Sequence, residues 1–419
     1  GPHGERGRPV PGAAGGAVAE TATAAELVLP ETPARTGAQP PVHEPRPKGG
    51  ARAAESRAKQ SRGLFYALCS VVGVLSLIGL VMVLSASSVL SLQTYGTPWY
   101  YFEHQLVWLV LGSAAFFVGV TVQPDRWRPF ARIGMWVSIA MLFAVLVPHV
   151  GVAASGASRW LGRGPIQIQP SEVAKLALVF FAADVIDRRA DRRTWTYQMG
   201  PVLAILALLV LLVMKQPDMG TTLVLVFIGF AILLTAGMPT KPILKMVVIA
   251  VALGGLLAVA SPYRLQRLTS FVHPEANAQG SGYQAVQGLA GLSDGGLLGH
   301  GIGSSIASWG FLPNAQTDFI FAVIGEETGL VGSVAVAGLF VVLAWVGIKI
   351  TCRCRDRYRA LLAAGIVAWL SGQAVINIGA VVGLLPVTGV PLPFVSFGGS
   401  SLVIALFGTG VLAAVAKRA

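Results

Sequence analysis

The chain has 419 residues, 54% of them hydrophobic and only 12% charged, with 31 Lys and Arg against 19 Asp and Glu and a formal net charge of +12; mean hydropathy is +0.68. A soluble domain carries roughly 25% charged residues, so this composition excludes an ordinary soluble enzyme, a disordered chain and a fibrous protein. It points to an all-α, polytopic membrane protein, and the apolar residues come in blocks that do not alternate, which argues against a β-barrel.

Residues 1–62 form a separate region. They hold nine of the 25 prolines, and from Arg46 to Arg62 there are six basic residues against one acid, Glu55. Such a segment buries too little apolar surface to offset its ordering entropy and is expected to be a disordered, basic, cytoplasmic tail. The Gly1-Pro2 start without Met is expected to be a protease scar. Residues 63–419 are expected to form the membrane domain.

A helical span needs roughly 20 apolar residues. Ten are predicted, over 64–87, 104–122, 132–149, 170–186, 200–214, 219–236, 242–260, 319–348, 359–382 and 396–416. No internal repeat is visible, so an inverted-repeat transporter gains no support. With the tail inside, sixteen of the 22 Lys and Arg in 63–419 face the cytoplasm, while Arg159, Arg163, Lys215, Arg264 and Arg267 face out and Lys175 lies within the fourth span. That distribution satisfies the positive-inside rule, and an even number of spans places both termini in the cytoplasm. The longest outer loop, 261–318, is rich in Gly, Gln and Ser, and loops of that length are usually functional.

The three cysteines, Cys69, Cys352 and Cys354, make neither a disulfide framework nor a metal site, and the six histidines show no ligand spacing. Neither structural zinc nor haem is expected. The informative residues are outward cations and acids. Arg159 and Arg163 sit in ASRWLGRGPIQIQPSEVAK; Lys175 follows Glu172 by three residues and shares its helix face. Arg264 and Arg267 share YRLQRLTSF. Cations gathered at one membrane surface suit an anionic ligand such as a lipid diphosphate; lipid-headgroup contact is the plainer reading of Arg264 and Arg267. Asp218 in QPDMGTT and Asp318 in LPNAQTDFIFAVIGEETG each begin a span, where acids also serve as helix caps. Glu326 and Glu327 need partners or a hydrated cavity. The eighth span is too long for the hydrocarbon core and must tilt, project outward or bend near Gly325 and Gly329. The uncharged loop GLLPVTGVPLPFVSFGGSS fits a lipid-tailed substrate or a packing role equally well.

Trp160 to Lys175, Gln216 to Thr221, Gly282 to Gly303, Leu312 to Gly329 and Asn377 to Ser400 together resemble the SEDS family (shape, elongation, division and sporulation) over about residues 63–416. The Ile324-Gly325-Glu326-Glu327 run looks more like the family's FtsW branch than its RodA branch. Gln316 stands where the family usually has His, which argues against imidazole chemistry there. The resemblance implies a peptidoglycan glycosyltransferase that polymerises lipid II onto nascent glycan, in the bacterial cytoplasmic membrane at the division septum. It also implies a class B penicillin-binding protein and divisome membrane proteins as partners, and no nucleic acid. The family's essential outer aspartate maps onto Asp318, its fourth-span lysine onto Lys175 and its QPD aspartate onto Asp218.

Asp318 is then the expected general base. Lys175, Arg159 and Arg163, with Arg264 or Arg267, would stabilise the departing diphosphate, and Asp218, Glu326 and Glu327 would line the site. No organic cofactor is expected. A divalent cation (Mg or Mn) could bridge the diphosphate and an acid, though no dedicated cage is visible. A lipid II flippase, a non-catalytic divisome scaffold and an elongation role remain alternatives.

Overall fold

The computed structural model describes residues 48–149, 151–154, 157–163, 166–191, 194–246, 248–249, 269–272, 280, 282–306 and 309–418. Contacts divide the chain into Gly1–Ala51 and Arg52–Ala419, and the helix bundle lies within the second unit. Residues 48–62, expected to end a disordered tail, are instead helical and open α1 (Lys48–Tyr95); the run from Lys48 to Arg62 is rich in Ala, Lys and Arg, all strong helix formers.

There follow α2 (Tyr100–Thr121), α3 (Arg128–Leu146), strands β1 (Val152–Ala154), β2 (Ala157–Arg163) and β3 (Ile166–Ile168), α4 (Pro170–Arg188), α5 (Trp195–Lys215), α6 (Met219–Thr235), α7 (Tyr283–Asp294), α8 (Ile320–Arg353), α9 (Arg357–Val381) and α10 (Gly399–Ala416). Seven described helices are long and apolar enough to cross a membrane, and Met219–Thr235 is a shorter apolar one. The protein is therefore a multi-pass membrane protein. The expected seventh span, 242–260, lies mostly outside the described residues.

The helix boundaries follow local chemistry. Pro170 opens α4 after Gln169, where a missing N–H costs nothing. Asp218 caps α6 and Asp356 caps α9, each accepting from the backbone N–H three residues on. The run 152–168, between the spans predicted over 132–149 and 170–186, is a small antiparallel sheet in the order β1-β2-β3, with Leu161 opposite Ile168 and Arg163 opposite Ile166.

Helix α9 is the axis of the bundle. Its apolar stretch is 83% buried, against 22% for α2, because Ala and Gly at Ala363, Ala364, Gly365, Ala368 and Gly372 leave room for α4, α6 and α8 on its sides. Helices α2 and α10 run side by side in the same direction, with Gly112 against Leu406, Gly119 against the Phe407 carbonyl and Gly410 against Phe116.

Charged groups tie one end of the bundle. Arg359 at the start of α9 pairs with Asp125 at 2.6 Å, and Arg128 at the start of α3 pairs with Asp187 near the end of α4 at 2.6 Å. Arg357 reaches the Ala236 carbonyl after α6. The opposite end gathers the starts of α4, α6, α8 and α10, joined by the Gln169 N–H donating to Ser400 Oγ.

Helix α8 takes one of the three courses open to so long a span: it is broken at Gly329. Gly329 has φ 67° and ψ −165°, which splits the helix and leaves Leu330–Arg353, about 36 Å long, to cross the bilayer. The break frees backbone groups that lipid cannot satisfy. The loop after α7 satisfies them: Gly301 N–H donates to the Glu327 carbonyl, and the Leu330 and Val331 N–H groups donate to the carbonyls of Gly296 and Leu297.

Candidate active site

The site lies at the end of the bundle where α4, α6, α8 and α10 begin. Asp318 is half-buried just before α8. Its segment is laced to the 386–398 loop and α9 through three successive carbonyls. Gln316 accepts from the Phe397 N–H at 2.9 Å, Thr317 from Ser396 Oγ at 2.6 Å and Asp318 from Asn377 Nδ2 at 2.8 Å. Backbone held in this way fixes where the Asp318 carboxylate starts from.

Arg159, on β2, reaches across to the turn before α6. Its Nε and Nη2 donate to the carbonyls of Gln216 and Pro217, the latter at 2.7 Å. The small sheet thus brings this arginine to the turn before α6. A Cβ placed on Gly389 would lie 3.5 Å from Asp318 Oδ2 and 3.7 Å from Arg159 Nη1. The carboxylate and the guanidinium therefore look onto the same point of the 388–391 backbone, and Gly389, at φ +72°, keeps that point clear.

Asp218 stands at the edge of this cluster as a cap. Its Oδ1 accepts from the Thr221 N–H at 3.0 Å and its Oδ2 from Thr221 Oγ1 at 2.9 Å, so both oxygens are engaged within its own turn and its side chain is 2% exposed. The first turn of α6 packs on the site loop, with Gly220 against Val390 and Thr388.

Lys175 does not open onto this surface. It is fully buried, paired with Glu172 at 2.7 Å and donating to Gln373 Oε1 at 2.6 Å, above the Trp369 ring. An ammonium at the core is tolerated only with such partners. Glu172 Oε2 has no hydrogen-bond partner among the described residues, and Glu172 lines a small cavity of about 10 Å³ together with Gln373, Pro391 and Ser396.

Glu326 and Glu327 are also buried and fasten other elements to α8. Glu326 accepts from Ser305 Oγ and the Ile306 N–H, both at 2.6 Å, and Glu327 accepts from Ser85 Oγ of α1. The side chain of Arg163 and all of Arg264 and Arg267 lie outside the described residues.

Sequence reasoning missed Gln373 and Asn377. Both are neutral amides buried in an apolar span, and they sit one turn apart; that spacing of polar groups inside a span was the available signal. Among the described residues no three His, Cys, Asp or Glu side chains gather to hold a metal. Asp318 is a half-buried acid at this end of the bundle, and a hard cation commonly uses one carboxylate plus substrate phosphates.

Comparison with known proteins gives a consistent result. The family described as cell cycle protein, comprising FtsW, RodA and SpoVE, matches residues 66–419. A relative from Mycobacterium tuberculosis named "Probable peptidoglycan glycosyltransferase FtsW" is 38% identical over 355 residues, 84% of this chain and 68% of the relative. Stage V sporulation protein E of Bacillus subtilis is 37% identical over 342 residues, 81% of this chain and 93% of the relative. Among solved structures, a peptidoglycan synthase complex studied for coordination of polymerization and crosslinking aligns with a TM-score of 0.68 at 28% identity, covering 85% of this chain and 97% of that one. The rod shape determining protein RodA of Thermus thermophilus aligns at 0.62 and 27% identity, covering 84% and 96%.

Proposed function

The chain belongs to the FtsW, RodA and SpoVE family of cell cycle proteins, and from that premise we propose how it acts as a peptidoglycan glycosyltransferase: Asp318 is the base and Arg159 the cation of the glycosyl-transfer site. The observation that carries this reading is the convergence of Asp318 Oδ2 and Arg159 Nη1 on Gly389.

In the reaction a 4-hydroxyl of one sugar attacks the anomeric carbon of another. The new C–O bond forms as the bond to the polyprenyl diphosphate breaks. Asp318 takes the hydroxyl proton, and Arg159 meets the charge developing on the departing diphosphate in a fixed planar fork. Arg159 is suited to this because the carbonyls of Gln216 and Pro217 already orient it, so little reorganisation is needed as charge appears. A divalent cation taken up with the diphosphate would be held by Asp318 and phosphate oxygens, supplying further charge neutralisation. The uncharged loop with Pro386, Pro391 and Pro393 lies beside the lipid-linked end of the substrate. Lys175, Glu326 and Glu327 support the scaffold.

The substrate is lipid II, and the growing glycan is the acceptor or donor strand. The protein works at the division septum of the cytoplasmic membrane with both termini inside and with a class B penicillin-binding protein; the likeness to a peptidoglycan synthase complex supports that pairing. The charged end bearing Arg128, Arg188, Arg357 and Arg359 is the cytoplasmic one on the positive-inside rule, which turns Asp318 outward.

The test is polymerisation of labelled lipid II by the purified chain with its cognate penicillin-binding protein. Asp318→Asn should stay folded and make no glycan polymer. Full product from folded Asp318→Asn removes the base assignment.

A further inference from the structure

Gln373 and Asn377 lie one turn apart on α9 and hold the carbonyls of two consecutive loop residues. Gln373 Nε2 donates to Pro391 O at 2.9 Å, and Asn377 Nδ2 donates to Val390 O at 2.7 Å. The second N–H of Asn377 goes to Asp318 O at 2.8 Å. One amide nitrogen therefore clamps the backbone of the acid to the loop that carries Gly389. Behind it, Gln373 Oε1 is locked by Lys175 Nζ at 2.6 Å and Trp369 Nε1 at 2.9 Å.

We propose that Asn377 is a positioning residue for Asp318: its Nδ2 fixes the acid and the 388–391 backbone relative to each other, and with them the shared approach of Asp318 and Arg159 to Gly389. The inference rests on the glycosyl-transfer reading of that pair. Three features carry it. The orientation of the amide is determined, since both neighbours are carbonyl oxygens and only the NH₂ end can satisfy them. Asn377 is 2% exposed, and its Oδ1 has no hydrogen-bond partner among the described residues; a buried unpaired acceptor is a cost that an apolar residue would avoid. The two bonds end on the two segments that bear the reacting geometry and on nothing else. The buried Lys175–Glu172 pair acts through the same device, one turn earlier, by keeping Gln373 on Pro391.

The test is steady-state polymerisation of lipid II by the full chain with its cognate penicillin-binding protein, alongside thermal unfolding of each variant. Asn377→Ala removes the clamp. Asn377→Asp is isosteric and turns an oxygen onto both carbonyls. Asn377→Gln keeps the donors on a longer arm. The expected result is a kcat about 10- to 100-fold lower for Ala and Asp, the size of loss that small misplacements of reacting groups produce, with KM for lipid II within about threefold of the parent and kcat partly recovered in Gln. Normal kcat per folded molecule in Asn377→Ala, with Asp318→Asn inactive, overturns the positioning role and leaves the base intact. Full turnover by Asp318→Asn fails the base itself. Failure of all three Asn377 variants to fold also overturns the proposal, because the bonds would then hold the bundle and not the site.

Discussion

Gly299 lies directly against Glu327: a Cβ on Gly299 would overlap the Glu327 carbonyl oxygen, the same oxygen that accepts from the Gly301 N–H at 3.0 Å. The loop after α7 can reach the break in α8 only where no side chain intervenes. Gly299→Ala would meet both that overlap and a left-handed backbone at φ +74°; the conformation alone costs about 1–2 kcal/mol. Gly301, at φ +101°, has nothing within 4 Å of its Cβ position, so Gly301→Ala bears strain without overlap. Thermal unfolding should rank parent above Gly301→Ala above Gly299→Ala, and equal midpoints for the two variants would contradict this packing.

Asp218 behaves as a cap, and the two roles it could have differ in what they tolerate. Asn caps as well as Asp, whereas Ala costs about 1 kcal/mol. Asp218→Asn should therefore unfold near the parent temperature and keep most of its polymerase activity, while Asp218→Ala should unfold earlier. A folded, stable but inactive Asp218→Asn would instead assign the carboxylate charge to the reaction.

The buried Lys175–Glu172 pair makes a separate prediction. Removing one partner of such a pair costs about 3–5 kcal/mol, since the other charge stays buried alone. Lys175→Met should lower the unfolding midpoint sharply, and Lys175→Met with Glu172→Leu should restore much of it. If the double variant is no more stable than the single one, Lys175 is held by Gln373 and Trp369 rather than by Glu172.

The turn joining α8 to α9 gives a pH prediction. Burial pushes the Cys354 thiol up to about 11, and its Sγ lies 3.3 Å from the Ile350 carbonyl. Cys352 is exposed. The thiolate is the reactive form, so a raised value means Cys354 stays protonated near neutrality and ionises only as pH approaches 11. In folded protein, maleimide should label Cys352 first, and the Cys354 rate should climb steadily through pH 9 and 10. The sign for stability follows. Above the ordinary value of 9.0 the unfolded chain gives up this proton more readily than the folded one, so the thiol's contribution is lost as pH rises from there toward 11. Equal labelling of both thiols at pH 7.5 would show that Cys354 is open.

Most spans were legible because hydrophobic length is a local property. The apolar blocks at 170–186, 219–236 and 359–382 match α4, α6 and α9 within two residues at each end. The break at Gly329 was legible only as one of three outcomes, because a span too long for the bilayer can equally tilt or project outward. The small sheet was not, since strands of three residues such as Val152–Ala154 leave no measurable alternation. Asp318 and Arg159 could be named from the sequence, but their shared approach to Gly389 could not, because residues 159, 318 and 389 come together only through tertiary packing. Lys175 was read as a ligand cation because sequence shows a charge in a span and not the carboxylate and amide closing around it.

The pairing of α2 with α10 bears on how the protein is made. Gly112 and Gly119 fit against Leu406 and Phe407, yet α10 is translated roughly 280 residues after α2, about 15 to 55 s later at ordinary ribosome speeds. For that interval the small-residue face of α2 has no protein neighbour from α10 and must be covered by lipid or by the insertion machinery. Docking of α10 is thus a late closing step, and substitutions such as Gly119→Leu should act during biogenesis, lowering the yield of inserted protein recovered from cells.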